Sequence, residues 1–148
     1  MISDIDRLVA IEDIKTLQYK FFRAVDYEKD KIAGLLTHDV RISFSDETPA
    51  EAVKLTQPVV LNGPDTFVSF LKQFVGAERS VHLGLMPQIE FDSADKANGI
   101  WWIQGVGTDP KARGLKIGLG FETMECDYVR VDGKWLISSL SARIQVHM

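Results

Sequence analysis

Apolar residues recur at three- and four-residue steps through Ile14, Leu17, Phe21 and Val25, which places them on one stripe of a helix. Ser3, three residues ahead of Asp6, is suited to cap that helix, because its side-chain oxygen can accept an otherwise unpaired first-turn N–H. The stretch Asp26 to Lys31 is too polar to continue the stripe, so the helix is expected to break there, with a short second helix over Ile32 to Leu36. Thr37-His38-Asp39 reads as a turn, after which Val40, Ile42 and Phe44 alternate as one face of a strand. The span 45–58 has two prolines and no clear period, and is expected to be mostly loop. Val59 to Leu61 is a candidate short strand. Asn62-Gly63-Pro64-Asp65 then turns into a helix, with Pro64 at a first position that needs no N–H. Phe67, Phe70, Leu71 and Phe74 give that helix an apolar face, and Gly76 is its expected end.

Beyond Arg79 the alternation is that of antiparallel strands: Ser80–Leu85, Gln88–Asp92, Ala97–Val106, Leu115–Val131 and Lys134–Val146. Ser93-Ala94-Asp95-Lys96 and Asp132-Gly133 supply turns between them. Leu115–Val131 is long enough that it must bend, and Gly118 and Gly120 are the expected bulge positions. No internal repeat, linker or low-complexity tract interrupts the pattern. Helices first and a strongly bent sheet afterwards predict one α+β domain over residues 1–148, with the helices packed into the sheet's concave face.

Composition narrows the class. The chain has 148 residues, 45% hydrophobic and 26% charged, which is an ordinary globular balance. Its formal charge of −4 argues against a nucleic-acid partner, whose phosphates require clustered Lys and Arg. No segment approaches the roughly 20 apolar residues of a membrane span. The opening MISDIDRLVA carries acidic residues where a signal peptide would be basic, and the single cysteine, Cys126, cannot form an internal disulfide. Both point to a cytoplasmic location.

Two side chains stand out chemically. In the strand Ser80–Leu85, Val81, Leu83 and Leu85 point one way, while His82 and Gly84 point the other. If the sheet curls around the helices, His82 can look into a cavity; the alternative is a partly buried histidine bonded to backbone. Asp26 ends an apolar helix on the side of Phe22 and Tyr19, where the negative end of the helix dipole disfavours a carboxylate. A compensating partner such as a histidine N–H is expected, unless the helix frays and Asp26 is simply solvated.

Other candidates are weaker. The histidines lie far apart, with no HxH, HExxH or CxxC spacing, so no metal is expected. Cys126 lies between Glu125 and Asp127, which oppose a thiolate, and packing is its expected role. Gly114 to Gly120 lacks the Gly-Lys-Ser/Thr ending of a phosphate loop. Trp101 and Trp102 are adjacent on a strand and so face opposite sides; one of them, taken as Trp102, is a candidate cavity residue.

The segments IEDIKTLQYKFFRAVD, LLTHDV, HLGLMPQIEFDSADKANGI and YVRVDGKWLISSLSARI resemble the SnoaL-like branch of the nuclear transport factor 2-like superfamily over nearly the whole chain. Within it the chain is similar to γ-hexachlorocyclohexane dehydrochlorinase and bacterial bile-acid 7α-dehydratase. The resemblance implies a cone-shaped curved antiparallel sheet wrapped around N-terminal helices, a cystatin-like α+β barrel with a pocket inside. It places Asp26 and His82 on the family's catalytic Asp–His dyad, and Arg143 on a pocket arginine. Phe21 stands where relatives have tyrosine or lysine, Phe44 where the dehydratase has tyrosine, and Gly105 where it has aspartate. Phe21 and Phe44 can neither protonate a leaving hydroxyl nor polarise a carbonyl, so bile-acid dehydration is not expected.

These readings combine into an expected small-molecule lyase or isomerase. His82 is the base, Asp26 orients it, and the chemistry is cofactor-independent. Arg143, Tyr19, Phe21, Phe44 and Trp102 are the expected substrate contacts, for a small hydrophobic substrate, cyclic ones included. With a base, a cation and no evident acid, the site suits a good leaving group or a proton shift rather than loss of hydroxide. The alternative is a ligand-binding module of the same fold that has lost its catalytic partners. A homo-oligomer, trimer or dimer, is expected in either case.

Overall fold

A computed structural model describes residues 2–46, 58–74, 79–108 and 117–147. Helix α1 (Asp4–Asp26) starts where Ser3 Oγ accepts the Asp6 N–H at 3.1 Å. Its predicted stripe of Ile14, Leu17, Phe21 and Val25 is buried. The break falls at Asp26, and the Tyr27 N–H bonds back to the Arg23 carbonyl at 2.8 Å. The expected second helix is a 3₁₀ helix, Lys29–Leu35, which begins earlier in the chain than its apolar pattern suggested and buries Ile32.

Thr37-His38-Asp39 is not a turn. These residues lie inside strand β1 (Leu36–Asp46), whose register is irregular between Leu36 and Arg41. Polar side chains are accommodated there because His38 and Asp39 point to solvent. Val40 and Ile42 are buried, and Phe44 packs on the core, as the alternation predicted. Of the expected loop, Ser45 and Asp46 belong to β1, and residues 47–57 lie outside the described residues. Strand β2 (Val59–Asn62) pairs antiparallel with β1. Gly63 then turns at φ +81°, its N–H donating to the Val40 carbonyl at 2.8 Å, and Pro64 opens helix α2 (Pro64–Phe74). Phe67 and Leu71 are buried on its inner face; the Phe74 side chain and the expected stop at Gly76 lie outside the described residues.

Strands β3 (Arg79–Ser93), β4 (Lys96–Thr108), β5 (Ile117–Val131) and β6 (Lys134–His147) complete a curved, unclosed six-stranded sheet in the order β2-β1-β6-β5-β4-β3. The last four strands pair antiparallel as predicted, whereas β1 runs parallel to β6, so the sheet is mixed. The segments read as two strands, 80–85 and 88–92, are one strand with a register shift between Leu85 and Gln88. Pro87, which has no N–H to donate, sits in that shift, and Met86 beside it is 95% exposed. Asp132 and Gly133 both take positive φ, 49° and 76°, as a tight two-residue hairpin requires.

The bend of β5 is not taken up at Gly118 and Gly120. The β4–β5 ladder runs unbroken from Lys96↔Val129 to Thr108↔Ile117. The irregularities lie on the other border of β5, where β6 has an extra residue at Ser138 and again at Gln145. Each extra residue kinks β6 and reverses which way the following side chains face. Trp135 and Ile137 point into the core before Ser138, and Leu140 and Ala142 do so after it.

The helices cover one face of the sheet. Trp101, Ile103, Met124, Cys126 and Tyr128 pack there beneath α1. Within that layer the Trp101 Nε1–H donates to the Tyr128 hydroxyl at 2.9 Å, which donates to Gln18 Oε1 at 2.7 Å. This buried chain ties α1 to β4 and β5. The opposite face of β3 and β4 leaves Val81, Leu83, Leu85, Ile100 and Trp102 exposed.

Candidate active site

The end of α1 and the start of β3 meet at Asp26. Ser80 and His82 alternate onto the helix-covered side of β3, and both reach the Asp26 carboxylate. Asp26 Oδ1 accepts the Ser80 hydroxyl at 2.7 Å and lies 2.6 Å from His82 Nδ1. Oδ2 accepts the His82 backbone N–H at 3.0 Å. A carboxylate at a helix C-terminus therefore finds donors from a neighbouring strand in place of water, and the Asp26 side chain is only 4% exposed.

Electrostatics follow from this geometry. Burial opposes charge on Asp26, but the His82 and Ser80 contacts outweigh it and hold the carboxyl below its ordinary 3.8. Burial also opposes charge on His82, but the hydrogen bond and charge of Asp26, with a smaller contribution from Glu122, hold the imidazole above its ordinary 6.5. With Nδ1–H given to Asp26, a neutral ring keeps its lone pair on Nε2.

The ring's position is set by packing. Phe22 stacks on His82 with centroids 6.2 Å apart and planes inclined by 20°. Gly84 makes room for Phe22, since a Cβ there would lie 2.9 Å from its ring and 3.1 Å from Trp101. Across the ladder His82 faces Gly105, where a Cβ would lie 3.6 Å from Cδ2 and 3.7 Å from Nε2, an ordinary contact. Nε2 thus looks over backbone without a side chain.

The remaining expected site residues divide. Phe21 is buried and stacks on Phe67, and Phe44 stacks on Phe67 and Phe70, with centroids 5.9–6.3 Å apart, in one apolar column. Tyr19 is 61% exposed on α1, and none of the contacts of the pair involves it. Trp102 and Arg143 do not face His82. Trp101 is the inward tryptophan, and Trp102 lies on the bare face, paired with Thr123. Arg143 also pairs with Thr123 and sits 3.3 Å from Glu125 on that same bare face. Without the extra residue at Ser138, the inward parity of Trp135 and Ile137 would have carried Arg143 inward; the bulge turns it out.

Glu122 was missed. It pairs with Ile103, whose side chain is fully buried on the helix-covered face, so it shares the side of His82. A carboxylate at the inward beat of Gly120, Glu122, Met124 and Cys126 was a legible signal. Cys126 is buried, which pushes its thiol up to about 12, in accord with a packing role. Among the described residues, no group of His, Cys, Asp and Glu is arranged to hold a metal ion. No helix among them is long and apolar enough to cross a membrane.

This arrangement can be set beside known proteins. The structure is similar to hexachlorocyclohexane dehydrochlorinase LinA-type3 of Novosphingobium barchaimii, at 25% identity and a TM-score of 0.79, covering 99% of this chain and 93% of that one. A type 2 hexachlorocyclohexane dehydrochlorinase gives 23% identity and a TM-score of 0.80, covering 99% and 92%. A scytalone-dehydratase-like protein of Novosphingobium aromaticivorans gives 19% identity and a TM-score of 0.83, covering 99% and 91%. The family model described as a SnoaL-like domain matches residues 6–141. With nearly the whole chain matched and helices laid on a curved mixed sheet, the chain belongs to the SnoaL-like family of the nuclear transport factor 2-like superfamily.

Proposed function

We propose that the chain is a cofactor-independent lyase or isomerase whose reaction begins with proton abstraction from carbon by His82 Nε2. The observation that carries this reading is the 2.6 Å contact between His82 Nδ1 and Asp26 Oδ1. Asp26 holds the ring in the tautomer with a free Nε2 and stabilises the imidazolium once the proton has moved. In an elimination, the C–H electron pair becomes the new double bond while the leaving group departs with its own pair. In an isomerisation, His82 returns the proton to a different carbon. The column of Phe21, Phe44, Phe67 and Phe70 has no group that could protonate a leaving hydroxyl. That favours a halide, a carboxylate or a simple proton shift on a small apolar substrate. The dehydrochlorinases among the similar structures support the same class.

Exchange in D₂O tests the reading without knowledge of the substrate. Small cyclic ketones and halogenated rings are incubated with the protein, and loss of the C–H signal is followed by NMR. Exchange or elimination should appear and should vanish in His82→Ala. Because the base must be neutral and His82 is held above 6.5, the rate should rise with pH through that raised value. A rate that is flat or falling there, or exchange that survives His82→Ala, defeats the proposal.

The apolar column also favours a second reading, a binding module for an apolar ligand. An unchanged ligand carried through purification supports it; His82-dependent turnover of any compound rules it out.

We also propose a homo-oligomer, trimer or dimer. Val81, Leu83, Leu85, Ile100 and Trp102 are 41–51% exposed on one face of adjacent strands, a contiguous apolar patch that soluble monomers seldom leave bare. Light scattering at micromolar concentration should give a multiple of 16.6 kDa, and a mass near one chain contradicts this.

A further inference from the structure

The register places a second polar group opposite His82. His82 pairs with Gly105 on β4, which pairs with Gly120 on β5, so two glycines in a row form a floor beside the imidazole. In the next row Gly84 pairs with Ile103, which pairs with Glu122. All of these positions share the helix-covered face. Glu122 is the one carboxylate among the inward positions of β5, where Met124, Cys126 and Tyr128 are buried. Strands lie about 4.8 Å apart and residues rise about 3.4 Å along them, so His82 and Glu122 rise from backbones about 12 Å apart on a diagonal that passes between Gly105 and Ile103. Gly105 and Gly120, in the His82 row, raise no side chain beside that diagonal.

Resting on the reading of His82 as the base, we propose that Glu122 is the substrate-orienting residue of this site, accepting a hydrogen bond from a donor group on a ring-sized apolar substrate whose reacting C–H faces His82 Nε2. An ionised carboxylate accepts and cannot donate, so the complementary group is a hydroxyl or an ammonium rather than a carbonyl. The substrate carries that donor across the ring from its acidic carbon. Glu122 also bears on the base itself, since its charge reaches His82 and favours the imidazolium alongside Asp26. The other polar group facing this carboxylate–imidazole cluster from β3 is Ser80, whose hydroxyl donates to Asp26.

Histidine-labelled protein, with His82 assigned by its absence in His82→Ala, provides the test. Cyclohexanol and cyclohexanone, alike in size but differing in the ability to donate, are titrated while the His82 ring signal is followed. A hydrogen bond to a charged acceptor corresponds to about tenfold in affinity, so cyclohexanol should bind about tenfold more tightly than the ketone. Glu122→Gln presents an amide that both accepts and donates, and should bring the two within about twofold. It should also lower the pH midpoint of His82. Glu122→Asp should restore the alcohol preference in part. Equal binding by the wild type, a preference that survives in Glu122→Gln, or no shift with either probe overturns the proposal. Asp26→Asn separates this from failure of the underlying reading. If Asp26→Asn leaves the His82 midpoint unchanged, the dyad is wrong; if it lowers the midpoint while the alcohol preference is absent, only the role of Glu122 fails.

Discussion

Replacing His82 with alanine is expected to lower turnover by about 10²–10⁴, the contribution of a positioned general base. Asp26→Asn should lose most of the same factor. Asparagine keeps the shape of the side chain but has one oxygen where Asp26 uses two, to meet Ser80, the His82 ring and the His82 N–H. It also removes the charge that supports the imidazolium. Gly105→Ala is the informative companion: its methyl would sit at ordinary contact distance, 3.7 Å from Nε2, so the fold should survive while access to the base is lost. Initial rates of the three variants against the wild type, with melting curves alongside, decide the matter. Full activity in His82→Ala or Asp26→Asn would remove the dyad from the mechanism.

The same pair has a signature in stability. His82 has a raised folded pKa, so its contribution is complete below 6.5 and is lost as pH rises through the raised value. Asp26 has a depressed folded pKa, so its contribution is present above 3.8 and is lost as pH falls through the lowered value. Between those limits the pair is fully stabilising, and the pH profile of melting should flatten in Asp26→Asn.

The largest expected loss of stability from deleting a single atom is Tyr128→Phe. The Tyr128 hydroxyl accepts from Trp101 Nε1 and donates to Gln18 Oε1, and Gln18 is fully buried. Without it, a buried donor and a buried acceptor lose their partners together. Each such orphan costs about 1–3 kcal/mol, so about 3 kcal/mol in total is a fair expectation. For a chain of this length that corresponds to a fall of about 6–12 °C in Tm. Calorimetry on Tyr128→Phe and Gln18→Leu should show both destabilised, with the double variant less than additive because they remove one shared hydrogen bond. Strict additivity would mean that the two side chains do not act as a unit.

Much of the architecture is legible from side-chain spacing. The α1 stripe, its Ser3 cap, the break at Asp26, the Gly63-Pro64 turn and the Asp132-Gly133 hairpin are local events. Each is governed by residues within a turn or two, and each appears where the sequence puts it. The candidate pair was also legible, because a carboxylate at the wrong end of a helix dipole and a histidine on one beat of a strand both call for a partner. Only the fold brings them within 2.6 Å across 56 residues of chain.

Facing is what the spacing could not decide. Alternation says that Trp101 and Trp102 lie on opposite sides, but which side the helices cover depends on packing; α1 covers Trp101 and leaves Trp102 bare. Arg143 shows the same dependence through β6. The extra residue at Ser138 reverses the strand's parity, sending Arg143 to Glu125 on the bare face and leaving Ala142 in the core. Glu122, unremarkable in a list of acidic residues, acquires meaning because its ladder partner Ile103 is buried beside His82. Helix and strand stretches and the alternation within an unbroken run follow from local periodicity, which is why α1, α2 and most of the strands fall where their side-chain spacing puts them. Which faces meet, and where a bulge or a parallel pairing such as β1 with β6 falls, is set by contacts between residues far apart in the chain, which local spacing does not carry.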